Sequence, residues 1–192
     1  MNEEILELKK IDILKLAAVI TGLGYGALWL SKPVLKYFKP SEFGGWFPFV
    51  ANSTLLKLDK LRSLHGAQIQ ISKSPGGIAR IIPGGDDNYN SDHNIVKNLG
   101  VTHALDIYSK VPITAGYSNT ISYRPMTKYE LYQFYILAEE AGFTGIGVYP
   151  DWNNPGLHVS DGSDTGRWAG INKDGKQVYI GLMEYFRKEG VA

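Results

Sequence analysis

Two helix-patterned segments bracket a series of short alternating runs, and the two kinds do not follow one another in regular turn. Regular strand–helix alternation would signal a doubly wound parallel sheet. Its absence points to α+β, a small antiparallel sheet flanked by helices. The first helix reads LLKLDKLRSLHG after a capping Ser53-Thr54, with Leu55, Leu58, Leu61 and Leu64 recurring every three residues and Gly66 as the stop. The second, TKYELYQFYILAEEAG, carries Thr127 as N-cap, Glu130 completing a capping box, and Gly142 as the stop. AQIQIS, IARIIP, VTHALDIY, GIGVYP, LHVSD, RWAGI and KQVYIGL read as strands, and MEYFRKEG as a short closing helix. The tract GGDDNYNSDHN is polar and turn-rich, with no regular period.

A chain of 192 residues has room for one ordinary domain and an appendage. The formal net charge of +1, with no basic stripe interleaved by aromatics, argues against a nucleic-acid partner. There is no cysteine, so any bound metal must be held by histidines and carboxylates.

The appendage is at the N-terminus. Between Lys15 and Lys32 run sixteen residues without a charge, LAAVITGLGYGALWLS. As a helix they span ~24 Å, a little short of a bilayer's hydrocarbon core. Leu14, Val34 and Leu35 extend the apolar length, Lys15 and Lys32 can snorkel, and Tyr25 and Trp29 suit the interface. A membrane helix over residues 14–35 is therefore expected, within an anchor and linker at 1–38 followed by a domain at 39–192. A buried core helix and a cleaved signal peptide are the competing readings. The acidic start (Glu3, Glu4, Glu7) does not suit a signal peptide. Ala18, Gly22 and Gly26 put small side chains on one helix face, where a second helix could pack. Lysines balance across the run, so its orientation is not set.

Histidines occur at 65, 93, 103 and 158. His65 ends the first helix, where it can cap carbonyls. His93 lies in the polar tract, Asp106 in a strand and His158 in a strand after a turn. Two histidines and one carboxylate form a three-donor set of the kind that catalytic zinc sites use. His103 is a rival for His93, but positions 103 and 106 of one strand point to opposite faces.

The order of motifs adds to this. It runs Ser91-x-His93, Ala104-x-Asp106-Ile107, Gly145-x-Gly147-x-Tyr149-Pro150, His158-Val159 and Arg167-Trp168. This resembles the D-alanyl-D-alanine carboxypeptidase family of zinc peptidases, with its murein endopeptidase and phage endolysin members, over roughly residues 55–168. The sequence departs from that pattern in three places. The His93-to-Asp106 interval is longer, implying an insertion near residues 94–99. Thr102 stands where the motif has glycine. His158-Val-Ser-Asp161 has one residue more than the family's His-x-Asp.

The resemblance implies zinc on His93, Asp106 and His158, and hydrolysis of peptide bonds in bacterial peptidoglycan. It implies an acid beyond the metal donors that moves the proton, Asp161 first and Asp151 second. Arg80 would fix a substrate carboxylate or carbonyl, and Tyr149 and Trp168 would wall the cleft. With the anchor, the expected setting is a single-pass membrane protein whose soluble domain faces the cell wall or sits within a membrane-containing virus particle. The alternative is a catalytically inactive relative, an anchored structural or wall-binding protein of the same fold.

Overall fold

The computed structural model describes residue 27 and residues 29–86, 88–113 and 122–192. Most of the expected anchor, with Ala18, Gly22 and Gly26, lies outside the described residues. Trp29 and Leu30 are helical, but the chain leaves the helix at Ser31, so no helix reaches Leu35. Pro33 explains the stop: it has no N–H to give and it biases Lys32 away from helical geometry. No helix among the described residues is long and apolar enough to cross a membrane.

Residues 32–38 of the expected linker lie against the domain. Lys32 Nζ donates to the Val50 carbonyl at 2.6 Å, the backbone N–H groups of Lys36 and Tyr37 donate to Asp59, and Phe38 is buried. A 3-10 stretch, Pro40–Phe49, follows and buries Phe43, Phe47 and Phe49.

Helix α1 (Asn52–His65) begins with Ala51 as its N-cap residue, not at Ser53-Thr54, and ends at Gly66 in the left-handed region, φ 68°. Helix α2 (Lys128–Ala141) carries the expected Thr127–Glu130 capping box and ends at Gly142. Helix α3 (Leu182–Lys188) closes the chain.

The strands are β1 (Ile69–Ile71), β2 (Ala104–Ile113), β3 (Ser122–Pro125), β4 (Gly145–Tyr149), β5 (Gly156–Ser160), β6 (Arg167–Lys173) and β7 (Lys176–Gly181). They form one mixed, mostly antiparallel sheet in the order β1-β2-β5-β4-β6-β7, with β3 paired to the far end of β2. Among the described strand pairs β4–β6 alone is parallel. The fold is α+β. IARIIP forms no strand; it contributes a single bridge, Arg80 to Asn94. Its apolar residues Ile78, Ala79 and Ile82 are buried within the long connection from β1 to β2. The apolar residues there report burial, not a strand ladder.

Register decides what each face of the sheet carries, because side chains alternate along a strand. Leu105, Ile107, Ile146, Val148, Leu157 and Val159 are fully buried in the core with Leu55, Leu58 and Leu61 of α1 and Leu131, Phe134 and Ala138 of α2. The opposite alternation sets Asp106 across from His158, His158 across from Gly147, and Gly147 across from Trp168. This second face carries the site. The β1–β2 connection is pinned to β2 there, Asp106 N–H donating to the Gly77 carbonyl and Ser72 N–H to the Asp106 carbonyl, both at 2.8 Å.

Candidate metal centre

Three side chains meet on the second face, two from strands and one from the connection. His158 Nδ1 lies 3.1 Å from Asp106 Oδ1 and 3.1 Å from His93 Nε2, and His93 Nε2 lies 3.4 Å from Asp106 Oδ1. Asp106 and His158 are cross-strand partners on β2 and β5, so their approach follows from register alone. His93 arrives from the polar tract and is the most enclosed, its side chain 2% exposed against 15% for Asp106 and 13% for His158.

Protons decide what such a triangle can be. His93 Nδ1 lies 3.0 Å from the Ile78 carbonyl. A carbonyl only accepts, so Nδ1 carries the proton and Nε2 of the neutral ring presents a lone pair. A neutral His158 has at most one proton to offer, to two acceptors at equal distance. The triangle is therefore short of protons and rich in lone pairs, an arrangement that attracts a cation. Its dimensions are close to what an ion needs. Donors ~2.0–2.2 Å from a tetrahedral ion stand about 3.3–3.6 Å apart; one edge here, 3.4 Å, falls in that range and two, at 3.1 Å, are slightly tighter. The group could hold a metal ion.

Burial alone would raise the Asp106 carboxyl. The hydrogen bond from His158, with both imidazoles beside the carboxylate, outweighs it and holds the group at about 2.

His93 is held in place by its neighbour Asp92, which the sequence reading passed over. The buried Asp92 carboxylate accepts from Ser160 Oγ at 2.5 Å, Ser163 Oγ at 2.8 Å, and the N–H groups of Ser163 and Asp164 at 3.2 and 2.9 Å, with Lys97 Nζ 3.3 Å away. Burial pushes this carboxyl up, but the hydrogen bonds win and keep it well below the usual carboxylate range. Gly162 is required beside it, since a Cβ there would come 2.7 Å from the carboxylate. The Ser-Asp-Gly-Ser-Asp turn thus clamps the tract that delivers His93. The available signal was a carboxylate adjoining a ligand, with a hydroxyl-rich turn elsewhere to receive it.

A cleft of about 500 Å³ opens over the triangle, and Arg80, Tyr149, Trp152 and Trp168 are among its walls. A Cβ at Gly147 would overlap the Trp168 indole, so this glycine lets Trp168 lie across β4 beside His158, ring centroids 5.4 Å apart. Trp168 Nε1 donates to Tyr149 Oη at 3.1 Å, and Tyr149 stacks on Trp152 at 4.2 Å and 10°. Burial pushes the Tyr149 phenol up, keeping it protonated. Arg80 is half-buried, its Nε donating to the Gly76 carbonyl at 3.1 Å. Among the described residues no carboxylate pairs with its guanidinium.

The structure separates the two expected proton-transfer acids. Asp151 is exposed and lines an adjoining hollow that Asp106 also lines, its Oδ2 accepting from the Asn172 N–H at 2.6 Å. Asp161 is not in the cleft, which corrects its assignment as the first-choice acid. It stands three residues beyond His158, and the alternation of β5 turns it to the helix face. There Thr54 Oγ1 donates to it at 2.5 Å, and Lys57 Nζ and His103 Nδ1 lie 3.5 Å away. His103 thus serves the opposite face from His93. His65 is likewise on the helix face, 2.8 Å from Ser109 Oγ and packed on Phe134.

Comparison with family models, with curated proteins and with solved structures gives no match.

Proposed function

We propose that the domain is a zinc-dependent peptidase acting on peptide bonds of bacterial peptidoglycan, held at a membrane by the segment that precedes it. The observation that carries this reading is the triangle of His93 Nε2, Asp106 Oδ1 and His158 Nδ1, with edges of 3.1–3.4 Å, in an open cleft that Arg80 also lines. The motif order that resembles the zinc peptidases contributes the choice of metal and substrate.

Three protein donors match the count of catalytic zinc sites, whereas structural sites use four. Zinc, if held by His93, Asp106 and His158, would supply Lewis acidity that polarises a carbonyl and lowers the pKa of water toward ~7. The chain's own residues do the rest. The Ile78 carbonyl keeps the Nε2 of His93 unprotonated. Asp151 takes the proton from the attacking water and returns it to the leaving amine. Arg80 holds a substrate carboxylate or carbonyl, and Trp168, with the stacked Tyr149 and Trp152, shields one side from solvent.

The experiment is zinc loading of the full chain, anomalous scattering at the zinc edge, and mass spectrometry of wall peptides after incubation. One zinc at the triangle and cleavage abolished by a chelator are expected, with Asp151→Asn lowering turnover ~10²-fold or more at unchanged zinc content. Full zinc occupancy without release of fragments from any wall chemotype would favour the inactive, wall-binding reading instead.

A further inference from the structure

The triangle does not lie at the end of its cleft. A second hollow, of about 620 Å³, adjoins the 500 Å³ one, and the two share Asp106 and Trp152 among their walls. The first contains Arg80 and extends over β4, β6 and β7, where Tyr149, Trp168 and Tyr179 line it. The second runs toward the β1 end of the sheet, lined by residues 72–74 after β1 and by Asn153 and Asn154 of the β4–β5 turn. A metal centre at the bottom of a dead end can meet only a chain terminus. One set where two hollows join can meet the interior of a chain, with residues of the substrate on either side.

Resting on the reading of the domain as a wall peptidase, we infer that it is an endopeptidase whose substrate is a peptide bound across both hollows, cut at an internal bond. The lining suits such a ligand. Ser72, Ser74, Asn153 and Asn154 offer donors and acceptors to the peptide groups of an extended chain, as polar groups in ligand sites fix orientation. Arg80, in the first hollow, meets an anionic group, which wall peptides carry on side chains as well as at their termini. Hollows of ~300–1,000 Å³ each hold a drug-sized ligand, so the pair accommodates several residues. Contacts far from the scissile bond then contribute to turnover as well as to affinity. In the reaction one C–N bond is broken by water; the carbonyl carbon gains the hydroxyl and the amine gains the proton.

The test uses the zinc-loaded full chain, intact peptidoglycan and its soluble cross-linked and uncross-linked peptides, with product masses and binding both read. The expected products carry two or more residues on each side of the cut. Asn153→Trp and Ser74→Trp, both at exposed turn positions, should each fill the second hollow. They should lower kcat/KM and affinity on the cross-linked peptides by roughly tenfold or more, with zinc stoichiometry unchanged. A free single amino acid as the main product overturns the inference, as does wild-type behaviour of both variants. If the zinc-loaded chain cuts nothing, the peptidase reading fails on its own account. The groove is then judged by binding, and equal affinity for cross-linked and uncross-linked peptides overturns it.

Discussion

The two faces of the sheet each carry a buried aspartate beside a histidine, and the two groups are built for different ends. On the cleft face Asp106 meets His158 and His93, with all three donor atoms within 3.4 Å of one another. On the helix face Asp161 meets His103, Thr54 and Lys57, which lie 2.5–3.5 Å away. In both, burial alone would raise the carboxyl and its hydrogen-bond partners prevail, holding it at about 2. A depressed aspartate therefore does not tell the two apart. What differs is the supply of protons. Asp161 is met by a hydroxyl that donates and an ammonium that is already charged, so its charge is answered. At Asp106 the answering groups are imidazoles, one of them fixed by a backbone carbonyl with its lone pair inward, and the balance is left for a cation.

The sharpest way to break the comparison is to remove one histidine from each face. His158→Ala should abolish stoichiometric zinc binding, read by elemental analysis after dialysis, because two donors do not make a site. His103→Ala should leave the metal content at wild-type level. Loss of zinc in both variants would mean that the helix-face group is coupled to the centre and the two are not separate.

A second experiment separates the faces by stability. Asp161 ties the first turns of α1 to the end of β5 through Thr54 and Lys57. Asp161→Asn should cost ~1.5–3 kcal/mol in denaturant unfolding, the usual worth of hydrogen bonds to a charged group, with zinc content intact. The acid limb gives the sign. The folded carboxyl titrates at about 2 and an ordinary aspartate near ~3.9. Its contribution is therefore complete above about pH 4 and is lost as pH falls toward 2. Asp106 occupies the same window in the metal-free protein, so the informative quantity is wild type minus Asp161→Asn. That difference should shrink from pH 4 to pH 2. A constant difference across that range would show that the charge of Asp161 is not what holds the helix.

The sequence was legible where the signal was local. The Thr127–Glu130 capping box and the stops at Gly66 and Gly142 need only neighbouring residues, and they stand where the pattern places them. The pairing of Asp106 with His158 was within reach too, because both sit in alternating strands and register does the rest. Asp161 shows the limit. The same alternation that points His158 into the cleft sends Asp161 to the helices, yet a motif match reads distance along the chain and not the face of a strand. IARIIP was misread for a related reason: a short apolar run records which side chains are covered, and these are covered without pairing into a ladder. Asp92 could not be found locally at all, since its partners Ser160, Ser163 and Asp164 are about seventy residues away.

The smallest expected effect lies at Thr102, where the resembling motif would have glycine. Its Oγ1 lies 3.0 Å from the Ile78 carbonyl, the same oxygen that receives His93 Nδ1–H at 3.0 Å. It also stands 2.9 Å from the Ala104 carbonyl, and Oγ1 accepts from the Ala104 N–H at 3.2 Å. The hydroxyl thus links the start of β2, two residues ahead of Asp106, to the carbonyl that fixes the His93 ring. Thr102→Val keeps the shape and removes the link. One zinc should still bind, but about tenfold more weakly, the low end of what outer partners of a metal ligand carry. Thr102→Ser should restore the affinity, since it keeps the oxygen. Competition with a chromophoric chelator reads the difference directly. If Thr102→Val binds zinc as wild type does, the Ile78 carbonyl is held by the backbone alone, and the cleft-face centre owes nothing to the residue that replaced the motif glycine.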